Sequence, residues 1–236
     1  MAGKTTIDYS QEFGEIVAGE IRLFDGIPLE KRLHVLKCVN ARILHFGKGS
    51  SLKEALIKPG STQYLIKGRA RIMRIDECGE RTILCDCDPD APLFSSDVPT
   101  VFSSREMRIV ALENCSVIEF SIPKEIEGRA CCMVHVGRMR NNVVQGLNGL
   151  NALLLKRLDI VSRRTIRSKI CAYLTWQAER AGKRSFDIQM KRQDLADYLC
   201  VERSALSREL GKMRDEELIS CEKGSFVILD EAVFLG

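Results

Sequence analysis

From Ala41 to about Ile122, apolar residues come in short runs: ARILHF, QYLIKG, RARIMRI, RTILCDC and SVIEFSI, broken by Gly, Pro and Asp. β-Branched and aromatic residues recur in them, and turns fall at Lys58-Pro59-Gly60 and Cys78-Gly79. Many short strands at roughly even spacing predict an all-β roll or barrel. Ahead of it, residues 1–40 are mixed, with PLEKRLHVLKCV patterned as a helix leading in. Past Pro123 the period changes. Met133, Val136, Val143, Leu147, Leu150, Leu154, Leu158 and Val161 recur at intervals of three, four or seven. That spacing predicts a long amphipathic helix with a narrow seam, roughly 40 Å at ~1.5 Å per residue. The sequence holds no second long helix, so the seam's expected partner is a copy of the same chain; the alternative is packing on the β-roll. Gly137, Gly146 and Gly149 lie within the helix, each costing about 1 kcal/mol relative to Ala. They fit a close helix approach, or a helix kept marginal for an effector to order. A further helix is expected in RSKICAYLTWQAERAG, with Gly182 as its stop.

The most informative pattern lies near the C-terminus. Leu195, Ala196 and Leu199 form one short apolar face, and Leu206, Leu210 and Met213 form another after a break at Cys200–Glu202. Two short helices joined by a three- or four-residue turn, with a small residue at the crossing, make a helix-turn-helix, here Arg192–Asp215. Leu218, Ile219 and Cys221, the Lys223-Gly224 turn and Phe226–Leu229 follow as a β-hairpin wing. The second helix then presents Arg203, Ser204, Ser207 and Arg208 toward base edges, and Arg192 and Gln193 are placed to hold phosphate. Arg is suited to guanine because its fork donates to O6 and N7 together.

Charge supports this placement. The net charge is only +4. Between Arg129 and Lys169, however, lie Arg129, Arg138, Arg140, Lys156, Arg157, Arg163, Arg164, Arg167 and Lys169, against the single acid Asp159. The N-terminus, MAGKTTIDYSQEFGE, lacks the apolar core of a signal peptide, and no apolar run spans a bilayer. The expected location is the cytoplasm, with no membrane partner. Ten cysteines at irregular spacing, without a C-x-x-C pair, are then expected as free thiols.

RQDLADYL…ERSALSREL resembles the helix-turn-helix of the cyclic-AMP receptor protein and fumarate–nitrate reductase regulator (Crp/Fnr) family, and YLIKGRARIMRIDECGERTIL resembles its β-roll hairpin. The resemblance spans roughly residues 40–230. It implies an α+β fold: an N-terminal β-roll effector domain like a cyclic-nucleotide-binding domain (1–128), a dimerisation helix (129–162) and a C-terminal winged helix-turn-helix (163–236). It implies a homodimeric transcription regulator with palindromic double-stranded DNA and RNA polymerase as partners. Arg203, Ser204 and Arg208 match the family's base-reading positions. Ser204 stands where many members carry Glu, and Cys200 where the turn often has Gly. If that position needs a positive φ, Cys costs about 1 kcal/mol there.

The family's cyclic-AMP pocket uses a Gly-Glu phosphate loop and an Arg-Ser pair. Here the loop reads PDAPLFSSD, containing Phe94 and Ser95; Arg105 is kept, but Glu106 replaces the Ser. Leu154, within a Leu153-Leu154-Leu155 run, faces the base position without a hydroxyl. The effector expected is not cyclic AMP, and no cofactor is identified. Some relatives sense redox state, nitric oxide or oxygen through haem or iron–sulfur ligands. A redox, haem or metal sensor is therefore the alternative, with Cys85, Cys87 and Cys200 as redox candidates and Cys78, Cys85, Cys87 and Cys115 as possible neighbours in the roll. An enzyme is disfavoured: His34, His45 and His135 are scattered, and no G-x-S-x-G, P-loop or H-E-x-x-H motif occurs.

Overall fold

A computed structural model describes residues 9–52, 60–95, 107–121, 130–222 and 224–230, with the side chains of 9–12, 94–95 and 130–132 excepted. The chain forms two compact units: Met1–Met73 with Asp86–Ala152, and Arg74–Cys85 with Leu153–Gly236.

In the first unit, helices α1 (Tyr9–Ala18) and α2 (Leu29–Cys38) precede the strands. The strands β1 (Arg42–Phe46), β2 (Thr62–Lys67), β5 (Ala91–Ser95) and β7 (Cys115–Phe120) form a sheet in the order β1-β7-β2-β5. The neighbouring strands are antiparallel, with Ile43 opposite Ile118 and Tyr64 opposite Ile118. Strands β3 (Ala70–Ile75), β4 (Arg81–Cys87) and β6 (Met107–Ala111) form a second sheet, ordered β4-β3-β6. β4 buries Ile83, Cys85 and Cys87, and β6 buries Met107, Ile109 and Ala111. This is the period-2 alternation of strands with one face on a core. The stretch PDAPLFSSD is not wholly a loop, because Ala91–Ser95 pair with β2 as β5.

The long helix α3 runs Ala130–Ser162. Part of its predicted seam has a partner within the chain. Val136, Met139 and Val143 are buried with Phe13, Phe24, Leu36, Tyr64, Ile118 and Phe120. For the predicted seam positions Val136 and Val143 the alternative holds, with packing inside the chain. Gly146 explains one helix glycine: a Cβ there would sit 2.6 Å from Cδ of Pro92, so the helix backbone approaches β5 directly. The face left open carries Met133 (55% exposed), Val134 (70%), Val144 (46%), Leu155 (57%) and Leu158 (60%).

In the second unit, α4 (Ile166–Ala181) begins at a capping box, with the Thr165 hydroxyl accepting from the Ser168 backbone N–H. It ends at Gly182 with φ 64, the left-handed cap that the sequence predicts. Helices α5 (Arg192–Leu199) and α6 (Arg203–Asp215) follow. β8 (Ser185–Asp187), β9 (Ile219–Glu222) and β10 (Ser225–Ile228) pair in the order β8-β10-β9. Leu195, Ala196, Leu199, Leu206, Leu210 and Met213 are buried with Ile170, Tyr173 and Leu174 of α4.

Candidate nucleic-acid interface

Helix α6 is amphipathic by construction. Leu206, Leu210 and Met213, spaced four and three apart, are buried, while Arg203, Ser204, Ser207 and Arg208 are exposed at its N-terminal turns. Those four predicted base-reading side chains therefore lie on the solvent side of one short helix end. Gln193 is exposed and donates from Nε2 to Oδ1 of Asp197 at 2.7 Å. The Arg192 guanidinium lies 6.0 Å from the Phe226 ring centroid in the wing. Beside it, Ile188, Gln189, Lys191, Gly224 and Phe226 line a cleft. Backbone, amide and cationic groups there suit a phosphate rather than a base edge.

The turn between the helices is set by Cys200, at φ 52 and ψ 57, whose backbone N–H bonds the Ala196 carbonyl. The left-handed conformation expected from the glycine usually found there is present on a non-glycine residue. Three arginines hold the helices in place. Arg81, from the hairpin segment of this unit, pairs with Asp197 at 2.6 Å and Asp194 at 3.2 Å on α5. Arg167 of α4 pairs with Glu209 at 2.6 Å and Glu216 at 2.7 Å, fixing α6. The hydrogen bonds from Arg167 hold the Glu216 carboxyl below its ordinary range. Arg157, near the end of α3, donates to Sγ of Cys200 at 3.2 Å and lies 5.5 Å from the Tyr198 ring centroid.

Sequence reasoning missed these arginines as positioning residues. Their partners lie tens of residues away, so no local spacing signals them. β8 was missed as well, being only three residues long.

Of the predicted effector-pocket residues, Arg105 and Glu106 lie outside the described residues, Phe94 and Ser95 lie on β5, and Leu154 is half-buried on α3. Cys85 and Cys87 are buried and Cys200 is exposed. Cys78 is exposed and Cys115 buried; burial pushes the Cys115 thiol up. Among the described residues, no three His, Cys, Asp or Glu side chains gather as metal ligands. Nor, among them, is any helix long and apolar enough to cross a membrane.

The arrangement is that of a winged helix-turn-helix. The sequence profile of the Crp-like helix-turn-helix domain matches residues 168–234, so the C-terminal unit carries a domain of that family. FixK2 from Bradyrhizobium japonicum is 16% identical, with a TM-score of 0.60 over 83% of this chain and 96% of FixK2. A CooA mutant from Carboxydothermus hydrogenoformans is 15% identical, with a TM-score of 0.64 over 86% of this chain and 88% of CooA. A Crp/Fnr-family transcriptional regulator of Thermus thermophilus is 15% identical, with a TM-score of 0.55 over 83% of this chain and 99% of that one. No curated protein matches the sequence. The chain has the Crp/Fnr fold: an N-terminal β-sheet domain, a long helix and a C-terminal helix-turn-helix.

Proposed function

We propose that this chain is a sequence-specific transcription regulator of the Crp/Fnr type. It acts in the cytoplasm as a homodimer and binds palindromic double-stranded DNA, with RNA polymerase as its downstream partner. It performs no catalysis. The observation that carries this reading is the exposed row Arg203, Ser204, Ser207 and Arg208 on α6, backed by the buried row Leu206, Leu210 and Met213. A helix held rigidly from behind, with two guanidinium groups and two hydroxyls free at its N-terminal turns, suits the major groove. Arg192, Gln193 and the wing cleft supply phosphate contacts. Residues 1–128, 129–162 and 163–236 are assigned to effector sensing, dimerisation and DNA binding.

The test is a salt titration of DNA affinity by fluorescence anisotropy. Several phosphate contacts in the dimer give at least about a hundredfold loss of affinity between roughly 50 and 200 mM salt. Affinity independent of salt, or no binding to duplex DNA, contradicts the reading.

A second reading concerns the input. The fold serves effectors of different chemistry, and this chain senses redox state through a cysteine. The observation favouring it is that Cys200, an exposed residue in the helix-turn-helix turn, has its thiol next to a guanidinium.

A further inference from the structure

We propose that Cys200, held against Arg157, is a hydroperoxide-reactive thiol whose oxidation weakens DNA binding. This rests on reading α5 and α6 as the DNA-binding element and names the chemistry that regulates it.

Arg157 makes the site more than a single cysteine. It is only 9% exposed. Its Nη2 donates to Sγ of Cys200 at 3.2 Å, and its Nε, also buried, has no hydrogen-bond partner. Among the described residues, no carboxylate pairs with it. A buried guanidinium without an anionic partner is an expensive arrangement. A neutral thiol is a weak acceptor, whereas an ionised or oxygenated sulfur is a charge-matched one. A second cation lies close by, with Nζ of Lys169 donating to the carbonyl of Leu199 at 3.3 Å. Of the acids near in sequence, Glu202 is exposed, and the Asp197 carboxylate is engaged by Arg81 at 2.6 Å and Gln193 at 2.7 Å, while its backbone carbonyl lies 4.0 Å from Sγ of Cys200.

The other cysteines provide the contrast. Cys85 and Cys87 are 4% and 2% exposed, and Cys115 is 2% exposed. Cys78 is exposed, but it sits in a turn with Asp76, Glu77 and Glu80, and its backbone N–H bonds Oδ1 of Asp76 at 2.9 Å. Of these two exposed cysteines, Cys200 thus has its sulfur against a guanidinium, and Cys78 belongs to a turn that carries three acidic residues.

The thiolate is the reacting form. Its sulfur attacks one oxygen of the hydroperoxide. A sulfur–oxygen bond forms, the oxygen–oxygen bond breaks, and two electrons pass from sulfur to the peroxide. The other oxygen leaves and takes up the thiol proton, giving water from hydrogen peroxide and a sulfenic acid on Cys200. The added oxygen is an acceptor for the guanidinium whose Nε lacks one. It also enlarges the residue that closes α5 in a left-handed turn, three residues before α6 begins at Arg203. A change there moves the start of the base-reading row.

The experiment gives the reduced full-length protein a brief pulse of hydrogen peroxide with dimedone. Labelled peptides are mapped by mass spectrometry, and DNA affinity is measured on the same samples. Labelling at Cys200 is expected to exceed that at Cys78 by roughly tenfold, and DNA affinity to fall with Cys200 occupancy. Arg157→Gln should bring Cys200 labelling down to the Cys78 level, and Cys200→Ser should abolish the peroxide response. If Arg157→Gln does not fold, the Cys200-to-Cys78 ratio in the wild type still decides. Equal labelling of the two thiols, or unchanged DNA affinity at full Cys200 modification, overturns the proposal. If the reduced protein binds no DNA, the DNA-binding reading fails, while the labelling ratio still judges the thiol.

Discussion

Arg105 and Glu106 bear on which effector this chain takes. An anionic phosphate needs donors around it, and Glu106 brings a carboxylate where the resembling family places a hydroxyl. A carboxylate repels an anionic phosphate rather than donating to it. Titration calorimetry with cyclic AMP is accordingly expected to show no binding in the low micromolar range; a dissociation constant there contradicts the assignment. Cys200 shows how much single residues disclose. The sequence poses the question by placing Cys where glycine is common, and the structure answers with φ 52. The thiol's neighbour was beyond sequence reasoning, because Arg157 lies 43 positions away on another helix.

At the scale of elements, the long-range ion pairs decide where the short helices sit. The triad of Arg167, Glu209 and Glu216 joins α4 to α6. The Glu216 carboxyl is held below its ordinary range by the Arg167 hydrogen bonds. Its folded value is depressed, so the stabilisation is complete above the ordinary carboxylate range and is lost as pH falls through the folded value. Acid titration of stability by circular dichroism, from neutral pH to about pH 3, should therefore show a smaller loss in Arg167→Ala than in the wild type. Identical acid sensitivity in the two proteins contradicts the linkage. The legible elements were those with strong periodicity: α3, α4, α5, α6 and most strands of the β-roll. α1 was not legible, because YSQEFGEIVA is short and interrupted by Gly14. β5 was hidden because Pro89-Asp90 and Pro92 look like loop, yet Pro92 lies in the strand pairing with β2. The seam of α3 was seen correctly as apolar, but a period alone does not say which side covers it. Val136 and Val143 turned out to face the chain's own core.

At the scale of the molecule, the proposed dimer rests on what α3 leaves uncovered. Val144, Leu155 and Leu158 are 46%, 57% and 60% exposed on one long helix, an apolar surface that suits a second copy of the same helix. Leu155→Glu with Leu158→Glu is expected to give monomers in light scattering without loss of helical content; a dimer surviving both changes places the interface elsewhere. A two-fold dimer carries two copies of α6, so its site should be a palindrome with half-sites roughly 34 Å apart. Arg208 lies four residues beyond Ser204, one turn along the exposed face, and on the proposed reading it contacts a guanine in each half-site. The decisive measurement compares the affinity of wild type and Arg208→Ala, at fixed salt, for a palindrome selected from random DNA and for its scrambled sequence. Loss of about 1–3 kcal/mol per half-site on the palindrome, with little change on scrambled DNA, is the predicted result. Equal losses on both sequences would mean that Arg208 touches only the backbone and that α6 does not read bases through it.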